Sequence, residues 1–145
     1  MKQYRVNHAA VWVCVLLFQA LGVLWYSPAL FAGPWMCYLG KTFDDFKGEG
    51  ISGLCFSLLA AVSSAYLLAW VFVRQRVTSA GKGLGVALLL ALICFAFPTA
   101  MQDSFSLRPP GLTLINAGSI ALNFCVTGLI LGAWKKEMKP QYENQ

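Results

Sequence analysis

Seven residues with aromatic or polar side chains are predicted to meet at one end of the folded chain, where they could bind a small ligand. They are Trp25, Tyr26, Ser27, Trp35, Asp103, Arg108 and Asn116. Aromatic walls with a few convergent polar groups are typical of small-molecule pockets. Arg108 is expected to approach Asp103 or the aromatic rings. The alternative interpretation is an aromatic belt with an ion pair that stabilises the loop and contributes about 0–1 kcal/mol if it is exposed.

A second set of polar side chains falls inside apolar segments, at a similar depth below their ends. The set comprises Gln19, Ser63, Ser64 and Asn123. The structural interpretation is a layer of hydrogen bonds between helices, each contributing roughly 0.6–2 kcal/mol. The functional interpretation is part of a polar path or pocket near the middle of a membrane.

The sequence contains no recognisable catalytic or cofactor-binding motif. It has a single histidine, His8, and five scattered cysteines, so we expect no metal site and no cofactor. A nucleophile elbow, a Walker loop and a dinucleotide fingerprint are all missing. Whether the protein is an enzyme therefore stays open at this stage.

Four uncharged apolar segments must position these residues, and each is long enough to cross a bilayer. They are residues 9–26, 51–73, 83–101 and 112–134. A helix rises about 1.5 Å per residue, so roughly 20 apolar residues cross about 30 Å of hydrocarbon. Only 12% of the residues are charged, whereas soluble domains have about a quarter. The sequence predicts an all-α integral membrane protein whose four transmembrane helices form a bundle, as one domain over residues 1–145.

The stretch that follows the first segment is apolar and aromatic but too short to cross a bilayer. Residues 29–39 are expected to lie at the outer membrane surface, as a short interfacial helix or a re-entrant turn. Thr42 and Asp45, three residues apart, resemble a capping box that begins one more helical turn.

The basic residues predict the orientation of the chain in the membrane. Eight of the 11 Lys and Arg residues precede the first segment, separate the second from the third, or follow the fourth. The positive-inside rule then places both termini in the cytoplasm, in a multi-pass protein of the inner (plasma) membrane. This distribution explains the net charge of +5 without a nucleic-acid partner. The expected partners are membrane lipids.

The fourth segment combines a polar stripe and a small-residue stripe at helical spacing. The polar stripe consists of Asn116, Ser119, Asn123 and Thr127. Gly128 and Gly132 belong to the small-residue stripe on roughly the opposite face, and such glycines allow close helix packing. This face could join copies of the chain in a homo-oligomer, or it could receive a helix of the same chain.

Several short stretches, spread over nearly the whole chain, form a recognisable pattern. They are Gly22-x-Leu24-Trp25-Tyr26-Ser27-Pro28-x-x-Phe31-x-x-x-Trp35, then Phe97-Pro98-Thr99, Arg108-Pro109, Leu114-Ile115-Asn116-Ala117-Gly118 and Leu131-Gly132-Ala133-Trp134. The pattern resembles a bacterial membrane family known as domain of unknown function 1761. The resemblance implies a four-helix membrane protein of bacterial type in which the outer aromatic and polar residues recur. It implies no activity.

Three functions are compatible with these features. The leading prediction is a non-enzymatic protein that binds a lipid-like or small amphipathic ligand near the outer leaflet, or that serves as an accessory subunit. The first alternative is a small oligomeric transporter whose path is lined by Gln19, Asn116 and Asn123. The second is a membrane enzyme that uses Asp103 and Tyr26 on a lipid or quinone-like substrate. A binding protein predicts a cavity open on one side, a transporter a continuous tunnel, and an enzyme a reactive group within about 3 Å of its substrate.

Overall fold

Four long apolar helices make up most of the molecule, which confirms the predicted all-α fold with four spans. The computed structural model describes residues 4–46 and 50–137. Its helices are α1 (His8–Trp25), α2 (Ala32–Leu39), α3 (Gly50–Arg74), α4 (Ala80–Ala91), α5 (Phe97–Phe105) and α6 (Pro110–Ala133). The four spans run over His8–Trp25, Gly50–Arg74, Ala80–Phe105 and Pro110–Ala133, and each is long and apolar enough to cross a membrane. The chain is therefore a multi-pass membrane protein.

The third span is a continuous helix whose winding widens in the middle. A π-helical turn over Leu92–Ala96 joins α4 to α5, and Pro98 follows it in the first turn of α5. Proline has no backbone N–H, and its ring clashes with the carbonyl four residues earlier in a regular α-helix. A wide turn directly before Pro98 moves that carbonyl away, which explains why the helix passes the proline without ending.

The fourth span, α6, is the central helix of the bundle. It contacts α1, α2, α3, α4 and α5. The closest of these contacts joins α6 to α4, where a Cβ atom on Gly132 would lie 2.7 Å from the Ser79 carbonyl oxygen and one on Gly128 would lie 2.7 Å from the Gly83 oxygen. Since lipid is as apolar as leucine, such close packing replaces the hydrophobic effect as the force that holds membrane helices together.

The small-residue face of the fourth segment is thus occupied by a helix of the same chain. The backbones of Gly83 and Gly128 touch, which leaves no space for a second copy between them. Of the two interpretations offered for Gly128 and Gly132, the intramolecular one applies. A homo-oligomer stays a prediction, and it would need a different face of the bundle.

The first and last described segments lie at the same end of the bundle, as an even number of spans requires. Strand β1 (Tyr4–Arg5) pairs antiparallel with β2 (Lys136–Glu137). Asn7 caps α1 by accepting from the Ala10 N–H at 3.4 Å, and its Nδ2 donates to the Trp134 carbonyl at 3.3 Å. Lys2 and Lys139, two of the basic residues behind the predicted orientation, lie outside the described residues.

The connection from α1 to α3 contains the predicted short helix, α2. It ends at Gly40, whose φ of 64° is the left-handed conformation that glycine adopts readily. A 3₁₀ turn over Phe43–Phe46 follows. The Thr42 N–H and hydroxyl both donate to Asp45 Oδ2, at 2.7 and 2.9 Å. These bonds, the backbone one first, lower the pKa of the Asp45 carboxyl.

Candidate functional site

An aromatic cluster packs against the first half of α6, and we define it as Trp25, Tyr26, Phe31 and Trp35. Trp25 ends α1, Tyr26 caps it, and Trp35 belongs to α2. The Trp25 and Phe31 ring centroids are 4.5 Å apart, and those of Tyr26 and Trp35 are 5.2 Å apart. Such tilted pairs contribute about 0.5–1.5 kcal/mol each beyond their buried area. The end of α1 and the short helix are therefore held together by their rings.

The polar edges of three rings converge on one turn of α6. Asn116 Oδ1 accepts from the Tyr26 hydroxyl at 3.1 Å and from Trp35 Nε1 at 3.2 Å. One residue earlier, the Ile115 carbonyl accepts from Trp25 Nε1 at 3.1 Å. Buried ring donors need such partners, because an unpaired polar group in an apolar medium is costly. Asn116 thereby joins α1, α2 and α6.

Two glycines of α6 make room for the rings, and the sequence analysis missed both. A Cβ on Gly118 would lie 3.1 Å from Cζ2 of Trp25, and a Cβ on Gly111 would overlap the Tyr38 ring. Gly111 and Gly118 are seven residues apart, so they lie on one helix face. The signal that could have revealed them was this spacing around Asn116. Gly118 was named only within the stretch that carries the family resemblance, and close helix packing was predicted only for Gly128 and Gly132.

A buried carboxylate lies next to this face of α6. Asp103 is 4% exposed, and its Oδ2 accepts from the Thr113 hydroxyl at 2.8 Å. Arg108 approaches it as expected, with Nη1 3.7 Å from Oδ1, while 53% of the arginine side chain stays exposed. Thr113 and Asn116 are three residues apart on a helix and thus neighbours on its surface. The Asp103–Arg108 ion pair and the aromatic cluster therefore bond to neighbouring positions on one face of α6.

Ser27, the remaining predicted site residue, lies in the turn between α1 and α2. Its hydroxyl oxygen is buried and has no hydrogen-bond partner among the residues that the structure describes. A buried hydroxyl left unpaired costs roughly 1–3 kcal/mol. This group is a potential donor to a ligand that enters the site.

The predicted mid-membrane layer does not form as a single network. Gln19 Oε1 accepts from the Ser57 hydroxyl at 3.0 Å, a partner that the sequence analysis did not name. Ser63 lies exposed and donates to the Leu59 carbonyl of its own helix at 2.7 Å. A helical serine can satisfy its hydroxyl in this way without a neighbouring helix. Counting depth along the sequence therefore selected the wrong turn of α3.

The buried amide of the same set bonds within its own helix. Asn123 Nδ2 donates to the Ser119 carbonyl at 3.0 Å, and Ser64 is half-buried on α3. In the described part of the chain, Asn123 Oδ1 and Gln19 Nε2 are buried without a partner. The three amides predicted to line a transport path thus bond to different partners: α3 for Gln19, the aromatic cluster for Asn116 and α6 itself for Asn123.

Metal-ligating side chains are dispersed over the structure. Within residues 4–46 and 50–137, no three His, Cys, Asp or Glu side chains form a group that could hold a metal ion. His8 Nδ1 is 3.1 Å from the hydroxyl oxygen of Tyr66. The chemistry that the site offers is hydrogen bonding, ring contact and one ion pair.

Comparison with known proteins identifies one family. The family model described as protein of unknown function (DUF1761) matches residues 9–132. This range includes the whole aromatic cluster and the Asp103–Arg108 ion pair. No curated protein and no solved structure matches the chain.

Proposed function

The chain belongs to the DUF1761 family of proteins of unknown function, and from this premise we propose that it is a non-enzymatic membrane protein that binds a lipid-like or small amphipathic ligand at the aromatic cluster. The observation that carries the proposal is the convergence of three ring donors on Ile115 and Asn116, beside the exposed guanidinium of Arg108. Residues 1–145 act as one membrane domain in this proposal.

The proposal includes an orientation in the bacterial inner (plasma) membrane. Six of the eight basic residues that the structure describes lie at the end of the bundle where β1 and β2 pair. The positive-inside rule supports a cytoplasmic location for that end. The aromatic cluster then lies near the outer leaflet, with α2 at the interface.

The chemistry of the site suits a molecule with an apolar body and a polar head. The half-buried rings offer an apolar surface, and Arg108 offers donors at its margin. The Ser27 hydroxyl oxygen is buried and has no partner among the described residues. Arg108 is anchored by Asp103 through one contact of 3.7 Å and is otherwise accessible. An anionic or carbonyl head group is the natural acceptor for such a guanidinium.

Two observations favour binding over the alternatives. A transport path would need Gln19, Asn116 and Asn123 along one wall, and their hydrogen bonds go to separate partners. An enzyme would need Asp103 or Tyr26 free to react, and these groups already bond to Thr113 and Asn116.

Native mass spectrometry of the protein, gently extracted from its own membrane, tests the proposal. The wild type is expected to retain a lipid or small molecule. Trp35→Phe keeps an aromatic ring but removes the hydrogen bond of about 0.5–1.5 kcal/mol that holds Trp35 to Asn116. Because the ring is then no longer fixed in the site, the retained fraction should fall about threefold to tenfold. Trp12→Phe is the matched control, because Trp12 is 52% exposed on α1, away from the cluster.

Four outcomes would contradict this function. The wild type could retain no small molecule, or Trp35→Phe could retain as much as Trp12→Phe. A protein subunit retained in place of a small molecule would indicate the accessory role instead. Solute flux through vesicles containing the pure protein would indicate transport.

A further inference from the structure

A cationic cleft opens at the end of the bundle where β1 and β2 pair, opposite the aromatic cluster. Its space is about 370 Å³ when the open solvent at its mouth is counted. Its lining includes the cationic Arg5, Lys135 and Lys136 and the apolar Phe72, Val77 and Leu131. The cleft thus combines three positive charges with an apolar wall.

The strand pairing places two of these charges directly opposite each other. Arg5 is the register partner of Lys136 in the β1–β2 pair. Directly opposed side chains share one face, with Cβ atoms about 4.5–5.5 Å apart, and like charges in this arrangement repel. An anion bound between them would attract both cations and offset their mutual repulsion. This juxtaposition points to an anionic ligand independently of the cleft.

Of the described acidic residues, Asp44, Asp45 and Asp103 belong to the opposite end of the bundle. Glu137 follows Lys136 in β2, where its register partner is Tyr4 and not Arg5. The backbone that carries the cations is held in place, because Asn7 both caps α1 and donates to the Trp134 carbonyl. The two cations are therefore positioned by backbone contacts before any ligand arrives.

The level of the cleft in the membrane identifies the ligand class. The cleft lies where α3 ends at Arg74 and α6 ends at Ala133. Trp134, 50% exposed, lines it, and tryptophan favours the boundary between hydrocarbon and head groups. Lipid phosphates lie at this boundary. We infer that the cleft binds the phosphate of an anionic phospholipid, whose acyl chain follows the apolar wall.

General attraction of basic loops to a membrane is a separate effect, and the chain offers a control for it. Arg74 and Lys82 belong to the same end of the protein but do not line the cleft. Arg74 instead lies over the Trp70 ring, 5.6 Å from its centroid. Charge removal at Lys82 therefore reports the general effect, and charge removal at Arg5 and Lys136 reports the cleft.

The test uses the full-length protein in nanodiscs with equal amounts of phosphatidylglycerol and phosphatidylcholine, released into a native mass spectrometer. The wild type is expected to retain phosphatidylglycerol preferentially. The double variant Arg5→Gln/Lys136→Gln should lower this preference about 30-fold, from the loss of two cations beside an anionic lipid. Lys82→Gln should keep it, and so should Trp35→Phe, which separates this site from the aromatic cluster.

The unfolding temperature provides a second test of whether the cleft binds an anionic lipid. In discs of phosphatidylcholine alone, Lys136→Gln should unfold at the same temperature as the wild type or higher, because the repulsion with Arg5 is removed. Adding phosphatidylglycerol should raise the wild-type unfolding temperature more than that of the variant.

Equal preference for both lipids in the wild type, or an unchanged preference in the double variant, would overturn the inference. Displacement of phosphatidylglycerol by excess inorganic phosphate would show that the cleft binds a free anion, and it would overturn the proposal of a lipid ligand.

Discussion

At the scale of single residues, Asn116 and Asn123 show how one residue type serves two purposes in the same helix. Asn116 Oδ1 receives two ring donors from other elements. Asn123 Nδ2 bonds only to its own helix, and its Oδ1 is buried without a partner among the described residues. The sequence places both on one polar stripe, and periodicity alone cannot distinguish them. Their difference depends on where the rings of α1 and α2 lie, which is a tertiary property.

The same substitution is expected to destabilise the protein at Asn116 but not at Asn123. Asn116→Leu leaves the Tyr26 hydroxyl and Trp35 Nε1 without their acceptor and should lower the free energy of unfolding by about 2 kcal/mol. Asn123→Leu removes an unpaired buried oxygen and should be neutral or stabilising. Unfolding of each variant in mixed micelles measures both effects. A large loss in Asn123→Leu would show that its oxygen has a partner after all.

At the scale of elements, the apolar segments predicted the spans well because hydrocarbon imposes their length and composition. The third span was predicted too short, since the prediction ended at the nearest charged or polar residues. Its helix continues through Lys82 and Asp103, because backbone hydrogen bonding does not depend on side-chain charge and Thr113 satisfies the buried carboxylate. The β1–β2 pair is two residues per strand. So short a pairing between distant residues leaves no pattern in the sequence.

The contact between α4 and α6 gives a prediction at this scale. A Cβ on Gly128 would lie 2.5 Å from the Cβ of Ala87, so Gly128→Ala should destabilise the protein by about 1–3 kcal/mol through overpacking. Gly85→Ala is the control on the same helix pair, because nothing lies within 4 Å of its added Cβ. Alanine also has the higher helix propensity, so this control should be neutral or slightly stabilising. Thermal unfolding in detergent compares the two, and equal unfolding temperatures would contradict the close packing.

At the scale of the whole molecule, the two ends of the bundle differ in chemistry. One end carries the aromatic cluster with the Asp103–Arg108 pair, and the other carries the cationic cleft. The sequence predicted the first end from residues that emerge on one side of the spans. It did not predict the cleft, because Arg5 and Lys136 are 131 positions apart in the chain and meet only through the strand pair.

This asymmetry allows the orientation to be measured. Cys37 is exposed on α2, at the end of the aromatic cluster. A membrane-impermeant maleimide applied to intact spheroplasts should label Cys37. In a Cys37→Ser background, Lys136→Cys should be labelled only after the cells are lysed. The reverse pattern would place the termini outside and contradict the proposed orientation.

The central position of α6 has a consequence for how the protein is made. Of the four spans, α6 is the last to leave the ribosome, yet α1, α3 and α4 all pack against it. The first three spans are therefore inserted in the bilayer before they can pack against α6. Until then, the ring N–H groups of Trp25 and Trp35 lack their acceptors on Ile115 and Asn116. Assembly is completed only once synthesis has passed Trp134, whose carbonyl binds the residue that caps the first helix. A chain stalled before Pro110 would be a natural substrate for quality-control proteases, since it is inserted but not assembled.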